Sequence, residues 1–172
     1  VTIYTDDIIT SEIIYVKDPL SCSSIAPYGF HGGNGSVLDP WQICNCKQLQ
    51  NMSQSLSDNY VLIRNIDCSD TLTWDGGAGF ASVGGFGSSF GGVFDGNGYS
   101  IFNLYINRST ESETGLFGSI ASSTITNVKV INVNILGKYS VGGLVGEAST
   151  SNIYDSYTTG SVTGTSYYIG GL

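Results

Sequence analysis

The stretch YSVGGLVGEAST, residues 139–150, decides the fold. Inside it Gly142, Gly143 and Gly146 surround Leu144 and Val145, two large aliphatics. Nearly the same phrase comes before it as TGLFG (114–118) and after it as YIGGL (168–172). Gly115-Leu116-Phe117-Gly118 and Gly143-Leu144-Val145-Gly146 lie 28 residues apart, and Gly171-Leu172 lies another 28 on. Ile125 and Ile153, Asn127 and Asp155, Tyr139 and Tyr167, and Val141 and Ile169 keep that offset. An earlier unit, SIFNLYI (100–106), matches TITNVKV (124–130) at an offset of 24. It extends a series of Ile-x-Asn or Ile-x-Asp: Ile101/Asn103, Ile125/Asn127, Ile153/Asp155.

A period of 20–30 residues built from short alternating runs is the signature of a β-solenoid. Successive coils stack about 4.8 Å apart, and one face of each strand points into a narrow core. Leu116, Leu144 and Leu172 then fall in one core column, with Ile125 and Ile153 in another. Glycine serves corners that need positive φ, and it lets the backbone of one coil approach the next. Asn103, Asn127 and Asp155 read as a corner ladder bonding to backbone groups of adjacent coils. A phosphate loop would need a strand-to-helix transition, whereas β-type alternation flanks these glycines on both sides.

Composition agrees with an all-β chain. The 172 residues include 24 Gly, 11 Tyr and 7 Phe, and only 12% are charged. That glycine share is about twice the average and the charged share about half. A net charge of −8 with six basic residues excludes nucleic acid and disfavours an anionic membrane surface. No apolar run approaches the roughly 18 residues of a membrane span. The chain begins at Val1, which leaves room for a removed leader.

Cys22, Cys44, Cys46 and Cys68 form an even set without zinc-ligand spacing, so two disulfides in an oxidising compartment are expected. Cys44 and Cys46 would point apart and bond to Cys22 and Cys68, in an order the sequence does not fix. Sequons at Asn34, Asn51 and Asn107 are candidate glycosylation sites compatible with secretion.

Residues 40–68 read differently. Asn45 followed by Gln48 resembles a capping box, and Leu49, Met52 and Leu56 keep helical spacing. A helix near 46–57 and a strand over 59–68 are expected, the helix covering the raw end of the solenoid. Residues 1–17 hold two strand-like runs, 18–40 a Ser/Gly/Pro-rich loop, and 69–92 a glycine-dense irregular first coil. FDGNGYSI (94–101) carries a strong turn signal in Asp-Gly-Asn-Gly.

Across residues 40–172 the chain resembles proteins carrying the GLUG motif. The resemblance rests on the Gln-Leu helix, the FDGNGYSI turn and the Gly-Leu-x-Gly corners, in that order. That family includes large bacterial surface proteins, adhesin-like proteins and the non-catalytic N-terminal parts of immunoglobulin A-specific metallopeptidases. The resemblance implies a right-handed β-solenoid on an extracellular surface and no chemistry in the repeats. The four cysteines and the first 40 residues depart from it.

An enzyme on this fold would need paired carboxylates along a groove. The candidates are Asp67 with Asp70, Asp75, Asp95 and Asp155, or Glu111 with Glu113. Asp95 has a turn role, Asp155 replaces a ladder Asn, and Glu111 and Glu113 read as solvating charges. NIDCSD (65–70) lacks the Gly and terminal Glu of an EF-hand, and His31 lies in a glycine-rich loop that offers no triad pocket. No cofactor, metal or catalytic residue is expected. Tyr139 and Tyr167, with Tyr154, Tyr157 and Tyr168 nearby, suit either corner bracing or a glycan-binding strip. Thr158, Thr159 and Thr163 do not repeat in the earlier coil, against an ice-binding face.

The expected molecule is an all-β, right-handed β-solenoid. It has a strand-rich extension and loop (1–39), a capping helix and irregular coil (40–92), and repeats over 93–172 that leave room for more. Its expected role is non-enzymatic: a secreted surface spacer or filament subunit assembling head-to-tail through its N-terminal strands. Binding of glycans or a cell-surface protein is the alternative, and a polysaccharide-active enzyme a lesser one.

Overall fold

The computed structural model describes Cys22 and residues 24–171. The strand runs expected in residues 1–17, and the third core leucine, Leu172, lie outside the described residues. Three short elements come first: β1 (Trp41–Ile43), α1 (Cys46–Asn51) and β2 (Tyr60–Leu62). Then follow β3 (Ile66–Asp67), β4 (Val93–Asp95), β5 (Ser100–Phe102) and β6 (Tyr105–Asn107). Longer strands appear in β7 (Phe117–Ala121), β8 (Thr124–Thr126) and β9 (Lys129–Gly137). The last are β10 (Val145–Ser149), β11 (Asn152–Tyr154) and β12 (Tyr157–Gly164).

Among the described residues the chain is mostly β, and the named strands pair with one another in parallel, with antiparallel contacts confined to isolated bridges such as Gly32–Gln42 and Gly79–Ile106. Among the described residues there are three ladders: β1-β2-β4-β8-β11, β7-β10, and β3-β5-β9-β12 with β6 also on β9. Within each ladder the strands follow chain order; the first gains five strands, the third four with β6 beside them, and β7-β10 only two. Register puts Trp41, Tyr60, Phe94, Ile125 and Ile153 in one column. The first four are buried, and Ile153 packs against the core. A second column runs Ile66, Ile101, Val130 and then Thr158, a polar residue. Leu116 and Leu144 are fully buried neighbours, since the next residues, Phe117 and Val145, are paired and the Phe117 N–H bonds to the Leu144 carbonyl at 2.9 Å. Each buried side chain of this size contributes about 1.5–3 kcal/mol of transfer free energy.

The glycines of the repeated phrase serve close approach. Gly115, Gly118, Gly143 and Gly146 are absent from the positive-φ positions, which fall instead on Asn103, Asn127, Asn132, Ser122, Ser140, Thr150 and Asp155 at 50–59°. Gly146 lies opposite Gly118, and a Cβ on it would sit 2.6 Å from the Ser140 carbonyl oxygen and 2.7 Å from that of Gly118. Short polar residues that tolerate the left-handed region therefore turn these corners, and glycine lets neighbouring backbones touch.

The cap is shorter than its sequence spacing suggests. Asn45 Oδ1 accepts the Gln48 N–H at 2.9 Å and starts α1, but the helix ends at Asn51 and tightens into a 3₁₀ turn over Met52–Gln54. Ser55 leaves helical geometry, and its carbonyl accepts the Tyr60 hydroxyl at 2.6 Å. Leu49 and Met52 are fully buried. The Gln50 side chain completes the cap: its Nε2 donates to the Ala81 carbonyl and its Oε1 accepts the Ala81 N–H, both at 2.8 Å. One side-chain amide thus satisfies both backbone groups of Ala81 in the glycine-rich stretch. The single strand expected over 59–68 is two, β2 and β3, because the chain turns a corner at residues 63–65 between different sheets. Asn65 at that corner accepts the Ser100 N–H at 2.9 Å.

Candidate functional site

Two surfaces carry the side chains that could act. The first is the outer edge made by β10, β11 and β12. Tyr139 stacks on Tyr167 at 5.7 Å with their rings 18° apart, and Tyr167 meets Tyr168 edge-on at 5.0 Å. The 28-residue spacing thus puts two tyrosines face to face, the bracing arrangement. Tyr167 and Tyr168 remain 62% and 75% exposed, and Tyr154 and Tyr157 about half. Thr158 Oγ1 donates to the Gly171 carbonyl beside a hollow of about 340 Å³ lined by Val133, Thr159, Val162 and Ile169.

The corner series predicted from sequence divides into two. Asn127 and Asp155 share a column beyond β8 and β11, and Asn127 Nδ2 donates to Asp95 Oδ1 at 3.2 Å. Asn103 belongs to another corner: β5 pairs with β9, which brings Asn103 beside Asn132. There Asn132 Nδ2 donates to Asn103 Oδ1 at 2.7 Å, and Asn103 Nδ2 donates to Asp67 Oδ1 at 3.0 Å. The bond from Asn103, then the Ser69 backbone N–H, holds the Asp67 carboxyl below the usual range. The match at offset 24 therefore compares two different corners. Hydroxyls complete the corners, Ser151 Oγ accepting the Ser123 N–H at 3.1 Å and Ser156 Oγ that of Val128 at 3.2 Å.

The cysteines pair as Cys22–Cys44 and Cys46–Cys68, so the adjacent Cys44 and Cys46 do bond apart. Asn34 and Asn107 are exposed, whereas Asn51 is half-buried and donates to the Tyr28 carbonyl at 2.8 Å. His31 is buried rather than loose in its loop. Asp95 accepts the Asn97 N–H at 2.7 Å, its turn role. Among the described residues no group of three His, Cys, Asp or Glu could hold a metal. Glu111 pairs with Arg108 at 3.0 Å. Glu113 is buried instead of solvating, its Oε2 has no partner, and burial followed by the charge of Glu147 pushes its carboxyl up.

The second surface brings together Asp67 and Asp70, a carboxylate pair the sequence offered, in surroundings the sequence did not show. It is a cleft of about 550 Å³ beside the Cys46–Cys68 bridge, bordered by Asn45, Lys47, Asn51, Asp67, Asp70 and Trp74. Its backbone is unusual: Trp74 leaves the 3₁₀ stretch Ser69–Gly77, and Asp75, Gly76 and Gly77 follow with φ of 48°, 63° and 95°. Arg108 holds this loop, donating to Asp75 Oδ2 at 2.8 Å and to the carbonyls of Gly79 and Phe80 at 3.2 and 3.1 Å. The Asp-Gly-Gly run was the local signal. What the sequence did not carry is the contact with Arg108, 33 residues away.

Halomucin of Haloquadratum walsbyi is 35% identical to this chain over 139 residues, 77% of this chain and 2% of that protein. A Gly-rich membrane protein of Evansella cellulosilytica is 35% identical over 131 residues, 73% of this chain and 14% of the relative. An immunoglobulin A1 protease of Streptococcus sanguinis is 25% identical over 135 residues, 76% of this chain and 7% of the relative. The chain thus spans only 2–14% of the length of these curated relatives. A solved immunoglobulin A1 protease-like chain from Bacteroides ovatus is similar at a TM-score of 0.44 and 18% identity, over 82% of this chain and 64% of that one. Among the described residues no helix is long and apolar enough to cross a membrane. The GLUG motif family matches residues 137–163, from the last residue of β9 through β10 and β11 into β12. This chain carries a GLUG motif, whose Val141, Leu144 and Val145 are buried and whose Ile153 and Val162 pack against the core.

Proposed function

We propose that the chain is a non-enzymatic extracellular module, a right-handed β-solenoid that serves at the cell surface as a stiff spacer or filament subunit. The observation that carries this reading is the column Trp41–Tyr60–Phe94–Ile125–Ile153, one core side chain from each passage of the chain. A stack built that way grows by repetition and resists bending through its ladders. Relatives named halomucin and Gly-rich membrane protein support a surface setting, and the two disulfides support an oxidising one.

Copies join head-to-tail, with residues 1–17 adding a strand to the β10–β12 edge of the next copy. Strand addition to a parallel ladder is the mode of association such a contact would use. Such a contact does not close and so propagates. Electron microscopy of the purified chain is expected to show filaments that deletion of residues 1–17 abolishes. A monodisperse full chain, or unchanged filaments after the deletion, would reject the assembly. The second reading, an adhesin that binds glycan or a surface protein as a monomer, is favoured by the exposed rings of Tyr167 and Tyr168. It is expected to show as retention of the monomer on cells.

A further inference from the structure

We propose that the cleft beside Trp74 binds neutral saccharide, with the indole as the platform for a hexopyranose ring. Its volume of about 550 Å³ falls within the range of small-ligand sites. A second hollow of about 330 Å³ adjoins it, bordered by Gln50 and Asp75 and sharing Lys47, Asn51 and Trp74 with the first. Trp74 therefore stands between two spaces, enough for more than one sugar unit. Of the two tryptophans Trp41 is buried in the core and Trp74 is only half-buried.

The chemistry of the lining selects the ligand. A hexopyranose presents an apolar C–H face and a rim of hydroxyls that both donate and accept. The indole suits the face. Carboxylates of Asp67 and Asp70 accept from the rim, Lys47 donates to it, and Asn51, whose Nδ2 donates to the Tyr28 carbonyl, offers its Oδ1 as a further acceptor. With Asp75 already paired to Arg108, Asp67 and Asp70 against Lys47 leave the cleft net negative, which disfavours phosphorylated, sulfated or uronic-acid chains.

The platform is held before any ligand arrives, which lowers the entropy lost on binding. Phe80, fully buried, stacks behind Trp74 at 6.4 Å with the rings 26° apart. Arg108, its side chain 10% exposed, pins Asp75 and two carbonyls of the loop. The Cys46–Cys68 bridge ties α1 to the opposite wall.

The test is titration of the disulfide-intact chain with neutral gluco-, galacto- and manno-oligosaccharides of four to six units, beside a sulfated oligosaccharide, followed by the Trp indole N–H resonances. At least one neutral series is expected to shift the Trp74 resonance and leave that of Trp41 in place. Trp74→Ala is expected to weaken binding at least tenfold, Trp74→Phe by less, and Asp70→Asn three- to tenfold. The exposed Asp70 and the aromatic replacement keep the test decisive should Trp74→Ala not fold. No shift with any neutral series at millimolar concentration would overturn the proposal. So would undiminished binding by the Trp74 and Asp70 variants, or a preference for the sulfated ligand. The cleft lies in single copies and filaments alike, so failure here leaves head-to-tail assembly standing, and failure of assembly leaves the cleft.

Discussion

Glu113 stands at φ 55°, its N–H bonded to the Tyr139 carbonyl at 3.0 Å and its side chain turned inward without a partner for Oε2. Burial, then the charge of Glu147, raises its carboxyl above the ordinary glutamate value. An acid that titrates higher in the folded than in the unfolded chain holds the extra proton when folded. Stability is therefore lost as pH rises through the ordinary value and the raised one, and the loss persists at neutrality. Glu113→Gln is expected to raise the melting temperature at pH 7, with the gain vanishing near pH 3.5, where the Glu113 carboxyl is protonated in folded and unfolded chain alike. Paired thermal melts at the two pH values check this, and a gain of equal size at both would contradict it. Nothing in the sequence marked Glu113 as buried. Its neighbours Glu111, Ser112 and Thr114 read as a polar loop, and only the third dimension folds one of them under.

Among the elements, α1 reaches the rest of the molecule through one side chain whose removal is informative. Gln50→Ala leaves the Ala81 N–H and carbonyl without their 2.8 Å partners. A cost of about 1–3 kcal/mol is expected, read as a lower urea midpoint with an unchanged slope. The helix itself was legible, because Asn45, Gln48, Leu49 and Met52 carry a cap and an apolar face. Its end was not, since the Ser53-Gln54-Ser55 stretch has no strong stop signal and the tightening into a 3₁₀ turn depends on Tyr60 from the next strand. The core positions Leu116, Leu144, Ile125 and Ile153 could be read from the spacing of 28 alone. Asn103 could not: Ile-x-Asn marks any corner where the chain turns through the left-handed region, and β5 meets its partner at an offset of 29, not 24.

At the scale of the whole molecule, covalent bonds are confined to one end. Both disulfides close loops of 22 residues, and together they bind the passages of β1, α1, β2 and β3. Loops of that length contribute about 3 kcal/mol each in the chain-entropy view. Reduction is expected to lower the urea midpoint, and hydrogen exchange is expected to show protection lost first over residues 41–67, with β7 to β9 following. Simultaneous loss throughout would mean that the passages are one cooperative unit. The pairing was not in the sequence because equal spacing permits either partner for Cys44. The Trp74 cleft was hidden for a related reason, being assembled from three separate segments and fixed by an arginine in a fourth.

The parallel ladders in chain order also govern how the molecule yields under tension. A pull on the chain beyond β12 strips β12 from β9 first and then β9 from β5, and the 28-residue passage from β8 to β11 releases about 90–100 Å of slack. Unravelling travels until it meets sulfur at Cys68. A load borne by such a chain would be let out by increments, and the two cystines would still hold the last passages together.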